Sequence, residues 1–168
     1  SRRALPGGAE RVTAALSETD LTAACADANV IVHLAAVIRG RSSSDFTRAN
    51  IEGTRAVARA ARALGARLIH TSSLGVTGPS SLDNPPDESR PPQPANLYGE
   101  SKRRSELEVR AVDGLDWTIL RPTLVYGPHD RLFFPVFNLA SRGLFPMYRP
   151  SAAYNLVHVE DVARAFEA

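Results

Sequence analysis

Val30-Ile31-Val32-His33-Leu34-Ala35-Ala36 is a continuous apolar run that is followed by a polar loop at residues 39–44. Runs of this length that contain branched side chains are typical of strands buried on both faces of a parallel sheet. Related runs at residues 67–72 and 117–121 predict two more strands, and residues 154–159 predict a last one. The expected fold therefore contains several short, buried strands.

Segments with helical patterning separate these strands. Residues 44–64 place Ile51, Thr54, Ala58, Ala61 and Leu64 on one face, and Gly65 is a suitable stop. Alternation of strand and helix with short links predicts right-handed crossovers and an α/β doubly wound parallel sheet. Further elements are expected as a strand at 11–16 and helices at 20–28 (capped by Thr19 or Asp20), 95–112, 132–142 and from about Glu160.

Composition excludes several classes of protein. The chain has 168 residues, 43% hydrophobic and 23% charged, with a net charge of +2, which predicts one ordinary globular unit. It lacks basic runs with interleaved aromatics, so we expect no nucleic-acid partner. It also lacks an apolar run of about 18 residues, so we expect no membrane span. The single cysteine, Cys25, excludes an internal disulfide and fits a cytoplasmic protein.

Tyr98 and Lys102 are the strongest candidates for chemistry. Side chains four residues apart on a helix share a face, and a cation beside a phenol lowers its pKa from about 10. Such a tyrosine can act as an acid or base near neutral pH. Of twenty basic side chains nineteen are arginine, so Lys102 is the only lysine and indicates a place that needs a compact ammonium. The alternative is an exposed helix on which the spacing is accidental.

Hydroxyl side chains follow the strand at residues 67–72. Thr71-Ser72-Ser73 falls where that strand ends, and ligands of parallel sheets bind beyond the carboxyl ends of the strands. A hydroxyl there can hydrogen-bond a substrate oxygen whose charge changes during reaction. The alternative is that these hydroxyls only form turn hydrogen bonds.

The remaining polar residues give weaker evidence for a functional site. The four histidines lie far apart without metal-ligand spacing, so no metal site is expected, and His33 and His70 are interpreted as satisfied core residues. Arg55, Arg59 and Arg62 recur at helical spacing and are expected to form a solvated face or to border a subunit contact.

Several segments together resemble the extended short-chain dehydrogenase/reductase family, also called the NAD-dependent epimerase/dehydratase family. The matching segments are residues 32–36, 50–54, 71–73 with Gly78, 98–102, 120–128 and 157–163. Their order and spacing carry the resemblance, and the 25 residues from Ser73 to Tyr98 select Ser73 over Ser72 as the catalytic hydroxyl. The resemblance implies a partial Rossmann-like fold, without the first βαβ unit and its glycine-rich turn.

Roles follow from the resemblance for individual residues. Tyr98 would be the acid/base, Lys102 would lower its pKa and bind the nicotinamide ribose, and Ser73 would hold the substrate oxygen. Hydride transfer itself belongs to the cofactor. The residues implied to bind the cofactor, besides Tyr98 and Lys102, are Leu34, Ala35, Ala36, Asn50, Thr71, Pro122 and Val125.

Departures from the family pattern refine these expectations. Ala15 precedes Leu16 where relatives often carry an Asp, so Leu16 would meet the adenine only through its backbone. Arg2 and Arg3 can pair with a 2′-phosphate, which favours NADP over NAD; otherwise they are exposed loop residues. Leu124 stands where nucleotide-sugar enzymes usually carry an Asn, and Thr77 replaces their Tyr, which favours a less polar substrate.

The resemblance implies an NAD(P)-dependent oxidoreductase that interconverts a secondary alcohol and a ketone, with an apolar or sterol-like small molecule as substrate. The alternatives are a nucleotide-sugar epimerase or dehydratase, and a non-catalytic dinucleotide-binding relative. We expect residues 1–128 to form a partial dinucleotide-binding domain and residues 129–168 to begin a substrate-binding region with the last strand and helix. Relatives pair through the helices at 44–64 and 95–112, so a homodimer is expected.

Overall fold

The computed structural model describes residues 9–81, 83–131, 133–144 and 155–168. Its strands and helices alternate along the chain, as the sequence predicts. The strands are β1 (Val30–His33), β2 (Arg67–Thr71), β3 (Trp117–Leu120), β4 (Leu124–Tyr126) and β5 (Leu156–His158). The helices are α1 (Glu18–Ala24), α2 (Ser43–Phe46), α3 (Gly53–Leu64), α4 (Leu97–Arg110), α5 (Phe134–Ala140) and α6 (Val159–Glu167).

The strands form two parallel sheets. One has the order β1-β2-β3, with His33 opposite His70 and Thr71 opposite Leu120. The other pairs β4 with β5 through Val125 and Val157. The prediction of a parallel α/β fold is confirmed. Strand β4 was not predicted. It has only three residues, which are too few to show the alternation of a strand in the sequence alone, and its partner β5 becomes apparent only in the structure.

One core lies between the first sheet and the helices α3 and α4. Its small alanines at α3 allow the helix to approach the sheet closely, and Leu68 of β2 is fully buried beneath them. Apolar burial of this kind contributes about 25 cal/mol per Å² of surface removed from water. The buried members of the core are Val57, Ala58, Ala61, Leu68, Val109 and Leu115.

Strand β1 is shorter and less buried than its apolar run predicts. It ends at His33 and not at Ala36, and Val30 and Val32 are 50% and 43% exposed. Side chains alternate between the two faces of a strand, so Ile31 and His33 face the helices while Val30 and Val32 point to the other side. The prediction of burial on both faces is wrong for this strand, since the helix-facing side alone is covered.

The N-terminal segment also differs from the prediction. Residues 11–16 form no strand and pair with no strand of the described part of the chain, and a short segment without a pairing partner does not persist as a strand. Helix α1 begins at Glu18 and ends at Ala24, with Ser17 and not Thr19 or Asp20 as its cap. The Ser17 hydroxyl accepts a hydrogen bond from the Asp20 amide, which satisfies a free N–H of the first turn.

The predicted helix at 44–64 is one continuous helical segment with a change of winding inside it. Helix α2 passes into a π-helical segment, Thr47–Glu52, and then into α3, which Gly65 ends in the left-handed conformation at φ 68°. The wider π turn inserts Asn50 fully buried between the loop after β1 and helix α4. The other predicted helices are confirmed: α4 and α5 lie within their predicted ranges, whereas α1 and α6 begin slightly earlier than predicted.

Candidate active site

The first turn of α4 approaches the segment that follows β2. Asn96 caps α4 by accepting a hydrogen bond from the Gly99 amide at 2.7 Å. Gly99 lies so close to Gly75 that a Cβ on Gly99 would be 2.6 Å from the Gly75 carbonyl oxygen. This close approach requires a glycine, and it brings Tyr98 of α4 beside Ser73.

The Ser73 side chain lies close enough to Tyr98 to act on the pKa of its phenol. Burial raises the pKa of the Tyr98 phenol, and the nearby Ser73 side chain lowers it less than burial raises it. Lys102 is not among the groups that shift this pKa in the chain by itself, and its expected effect on the phenol stays a prediction. Burial destabilises the phenolate anion by more than the neighbouring groups stabilise it. The half-buried phenol therefore stays protonated at neutral pH.

Lys102 lies one turn further along α4 and is 2% exposed. Burial lowers the pKa of its ammonium to about 8, while the charge of Glu106 acts in the opposite direction. Within the described residues, the ammonium forms no hydrogen bond and no ion pair. A largely buried lysine whose ammonium has no protein partner suits a place where a ligand with hydroxyl acceptors binds.

Glu106 does not neutralise Lys102, because it is engaged elsewhere. Its carboxylate accepts two hydrogen bonds from Arg121, at 2.7 and 2.6 Å, and one from the Ser72 hydroxyl at 2.5 Å. Ser72 is therefore part of a buried structural network, whereas Ser73 faces Tyr98. The sequence analysis missed this network; the only signals were a Glu one turn after Lys102 and an Arg directly after β3.

Several residues implied to bind the cofactor meet at the carboxyl ends of the first sheet. Leu34, Ala35 and Ala36 are exposed after β1, and Pro122 follows β3, where its carbonyl accepts a hydrogen bond from Leu74. Thr71 ends β2, and its hydroxyl is buried and has no partner in the described part of the chain. A buried free hydroxyl and a buried free ammonium fit the hydroxyl and amide groups of a nicotinamide dinucleotide.

Asn50 fixes the loop that follows β1 through hydrogen bonds of its side-chain amide. Its amide accepts from the Val37 N–H at 2.7 Å and donates to the Val37 carbonyl and to the Ser101 hydroxyl, both at 2.9 Å. Both of its N–H donors are thus used inside the protein. Asn50 positions the loop that carries Ala35 and Ala36, and its direct contact with cofactor stays a prediction.

The other predicted cofactor residues lie apart from this group or outside it. Val125 is in β4, in the second sheet. Leu16 is 46% exposed and packs toward Gly53, at the rim of an apolar cavity of about 340 Å³ beside β1. Arg2 and Arg3 lie outside the described residues.

The predicted solvated arginine face is also tied to other elements. Arg55 forms a two-pronged ion pair with Glu108 of α4, at 2.6 and 2.8 Å. Arg62 donates to the Asp113 carbonyl at 2.9 Å. These contacts connect α3 to α4 and to the loop that follows α4.

The described ranges lack both a metal-binding cluster and a helix that could cross a membrane. These residues contain no cluster of three or more His, Cys, Asp or Glu side chains that would hold a metal ion. None of their helices has both the length and the apolar character that crossing a bilayer requires.

Comparisons with known proteins agree with this geometry. The family model described as NAD dependent epimerase/dehydratase matches residues 3–168. A ceramide reductase from Caulobacter vibrioides is 39% identical over 137 residues, covering 81% of this chain and 38% of that protein. A UDP-glucose 4-epimerase from Mycolicibacterium smegmatis is 36% identical over 131 residues, covering 72% of this chain and 42% of that protein.

Solved structures share the fold. A dTDP-glucose 4,6-dehydratase from Streptomyces venezuelae with NAD bound matches with a TM-score of 0.72 and 31% identity, covering 89% of this chain and 50% of that chain. The prediction of a Rossmann-like fold is thereby confirmed. The chain spans about two fifths of the length of the two curated relatives described above.

Proposed function

Because the chain belongs to the NAD-dependent epimerase/dehydratase family, we propose that the whole protein is an NAD(P)-dependent oxidoreductase that interconverts a secondary alcohol and a ketone. The observation that carries the proposal is that Ser73 lies beside Tyr98, with the buried Lys102 one turn further along α4. These three side chains supply an acid, a hydrogen-bond donor and a cation at the carboxyl edge of the sheet.

In the reducing direction, Tyr98 donates its phenolic proton to the carbonyl oxygen, so that the alcohol forms without a free alkoxide. Ser73 donates a hydrogen bond to the same oxygen, and the Tyr98 phenolate then recovers a proton from solvent. The raised pKa of Tyr98 supports this direction, since the phenol is protonated at neutral pH. When bound, a reduced nicotinamide supplies the hydride that the carbonyl carbon accepts.

Lys102, Thr71 and the exposed loop at residues 34–36 are proposed to hold the cofactor. The Lys102 ammonium would donate to ribose hydroxyls, and the free Thr71 hydroxyl would pair with a polar group near the nicotinamide. Solved relatives contain NAD, which supports a nicotinamide dinucleotide. A preference for NADP through Arg2 and Arg3 remains a prediction, to be tested by the ratio of NADPH and NADH affinities.

An apolar substrate is favoured by the residues around β4. Leu124, the first residue of β4, is 39% exposed. A cavity of about 270 Å³ follows the strand and is lined mainly by aromatic side chains, with Tyr126, Phe134 and Phe137 among them. The similarity to a ceramide reductase supports the same class of substrate.

The second candidate is a nucleotide-sugar epimerase or dehydratase. Similarity to a UDP-glucose 4-epimerase and to a dTDP-glucose 4,6-dehydratase favours it. The two candidates are separated by assaying the intact protein with a long-chain acyl ketone, a steroid ketone, UDP-glucose and dTDP-glucose. Turnover of a nucleotide sugar without turnover of either ketone would reject the apolar substrate.

The test of the acid is Tyr98→Phe in the intact protein. We expect kcat/KM to fall by at least about 100-fold, because proton donation is lost while the ring remains. Cofactor affinity, measured by nicotinamide fluorescence, should change by less than about twofold, since the change removes one hydroxyl and no charge. Full activity of this variant would remove Tyr98 from the mechanism, and wild-type protein that binds cofactor without any turnover would favour a non-catalytic relative.

We also propose that the intact protein is a homodimer and that it is located in the cytoplasm. The helical segment 43–64 and α4 lie side by side, and relatives are expected to pair through them. Sedimentation of the intact protein tests this, and a monomer at micromolar concentration would contradict it.

A further inference from the structure

Two attachments hold the segment after β2 against α4, one on each side of Ser73. Before Ser73, the Ser72 hydroxyl donates to Glu106 Oε1 at 2.5 Å. After it, the Gly75 carbonyl oxygen lies so close to Gly99 that a Cβ on Gly99 would be 2.6 Å away. The Gly75 N–H also donates to the Ser73 hydroxyl at 3.2 Å. Ser73 therefore lies between two points that are fixed to the helix.

The two attachment points on α4 enclose the functional part of that helix. Gly99 and Glu106 are seven positions apart, which corresponds to two turns and about 10 Å along the axis. Tyr98 directly precedes the first point, and Lys102 lies between the two. The contacts that hold Ser73 thus also hold the two turns that carry the proposed acid and the cation.

Arg121 turns the attachment at Glu106 into a closed frame. Its Nε and Nη2 donate to the two Glu106 oxygens at 2.7 and 2.6 Å. The carbonyls on either side of Arg121 accept from the amides on either side of Ser73, at 2.7 and 2.9 Å. These backbone pairs are Ser72 with Leu120 and Leu74 with Pro122. The frame joins the ends of β2 and β3 to α4 and to each other.

Stability alone does not account for this frame. The Glu106 and Arg121 side chains are 3% and 18% exposed, so both charges are largely removed from water. The desolvation of such a pair offsets much of its attraction, and apolar side chains of similar volume often serve a fold equally well. A two-pronged pair adds a fixed geometry, since its two parallel hydrogen bonds define a direction as well as a distance.

We propose that Glu106 and Ser72 are positioning residues for Ser73: by tying the ends of β2 and β3 to α4, they hold the Ser73 hydroxyl beside the Tyr98 phenol. The inference rests on the proposed function, in which both hydroxyls meet one substrate oxygen. Without the attachment at Glu106, the segment can pivot about Gly75, which moves Ser73 relative to Tyr98. A displacement of about 1 Å between reacting groups can lower a rate about 100-fold.

Ser72→Ala in the intact protein loosens the frame without changing any charge. We expect kcat to fall at least about fivefold, while cofactor affinity, measured by nicotinamide fluorescence, stays within about twofold of wild type. The assay uses whichever of the two ketones and two nucleotide sugars named above is turned over. Wild-type kcat in a folded Ser72→Ala protein would overturn the proposal.

Glu106→Gln loosens the frame from the helix side. Both Glu106 oxygens accept from Arg121, so the NH₂ group of the glutamine removes one of the two prongs while the shape is kept. Glu108→Gln is the matched control, because it breaks a two-pronged pair on the same helix that leads to Arg55 of α3 and not to the strand ends. We expect kcat to fall at least about fivefold in Glu106→Gln and less than about twofold in Glu108→Gln. Equal losses in the two variants would contradict the positioning role of Glu106.

A double-mutant cycle decides whether the effect of Ser72 passes through Ser73. Once Ser73→Ala has removed the hydroxyl, Ser72→Ala should lower kcat by less than about twofold, because there is nothing left to position. A loss as large as in the wild-type background is what a merely structural effect gives, and it would reject the proposal. Wild-type activity of Ser73→Ala alone would reject the catalytic role of Ser73 in the proposed function, so that failure is recognised separately.

Crystal structures of the intact wild-type protein and of Ser72→Ala, both with NAD bound, test the geometry without turnover. We expect the separation between Ser73 Oγ and Tyr98 Oη to change by at least about 0.5 Å in the variant, which is the tolerance of a productive site. A smaller change would show that Ser72 does not position Ser73. If the Ser72→Ala protein does not fold, the same comparison with Glu106→Gln decides the matter.

Discussion

At the scale of single residues, Lys102 combines a buried position with a positive charge that a ligand can use. It is the only lysine in a chain with nineteen arginines, and it is 2% exposed with no ion-pair partner among the described residues. The glutamate one turn away is bound by Arg121 and Ser72, so it lessens the cost of burial without occupying the ammonium. A place of this kind suits a compact cation that binds hydroxyl groups.

We expect Lys102→Arg to lower kcat/KM by at least about tenfold, which corresponds to about 1.4 kcal/mol on the barrier. The charge is kept, but the wider planar guanidinium does not fit the space that an ammonium fills beneath α4. Steady-state kinetics of the intact protein check this. Arg103→Lys, at the neighbouring exposed position that pairs with Glu100, is the matched control and should remain within about twofold of wild type.

At the scale of elements, the site depends on how closely α4 approaches the segment after β2. Gly99 and Gly75 touch through backbone, and Asn96 fixes the first turn of the helix. A second connection is the buried network in which Glu106 of α4 joins Arg121 after β3 and Ser72 after β2. Two elements that are separated along the chain are thus held in one geometry.

We expect Gly99→Ala to destabilise the fold by about 1–3 kcal/mol and to move Tyr98 away from Ser73, because its Cβ would lie 2.6 Å from the Gly75 carbonyl oxygen. Denaturant unfolding and activity measure the two effects. Gly75→Ala is the control, since its Cβ would meet only the Ser73 hydroxyl at 3.4 Å. Equal stability of both variants would show that the contact is not tight.

The network predicts a contrast between two glutamates of the same helix. Glu106→Ala leaves the guanidinium of Arg121 partly buried without its partner, and we expect a loss of about 3–5 kcal/mol. Glu108→Ala breaks the more exposed pair with Arg55 and should cost at most about 1 kcal/mol. Urea unfolding of both variants measures the difference, and similar losses would contradict the assignment of Glu106 to a buried network.

At the scale of the whole molecule, the buried histidines connect folding to pH. In the unfolded chain both have an ordinary pKa of 6.5, whereas burial lowers the folded pKa to about 4 for His33 and about 2 for His70. Between these values the unfolded chain binds more protons than the folded one. The stability that is present above pH 6.5 is therefore lost as the pH falls toward 4.

We expect His33→Gln to lose less stability than wild type between pH 6.5 and pH 4, by at least about 1 kcal/mol, since one protonation of the unfolded chain is removed. Guanidinium unfolding at the two pH values measures this. His129→Gln is the matched control, because it makes the same exchange at an exposed loop residue. An identical pH dependence of His33→Gln and wild type would show that His33 protonates freely in the folded state.

The sequence by itself determined the features that depend on short-range order. Apolar runs and helical periodicity predicted the parallel strands β1, β2 and β3 and the helical segment between them, and a glycine predicted where that segment ends. The four-residue spacing predicted that Tyr98 and Lys102 share a face of α4. These predictions succeeded because strand alternation, helix periodicity and glycine conformation act within a few residues.

Only the tertiary structure decided the features that join distant parts of the chain. Ser72 meets Glu106 across 34 positions, and His70 meets Ser105 across 35. The exposure of Val30 and Val32, the pairing of β4 with β5 and the raised pKa of Tyr98 likewise depend on what packs against each residue. Burial and hydrogen-bond partners are set by strand register and helix approach, which no local pattern contains, and for that reason the electrostatics of the site emerged only with the fold.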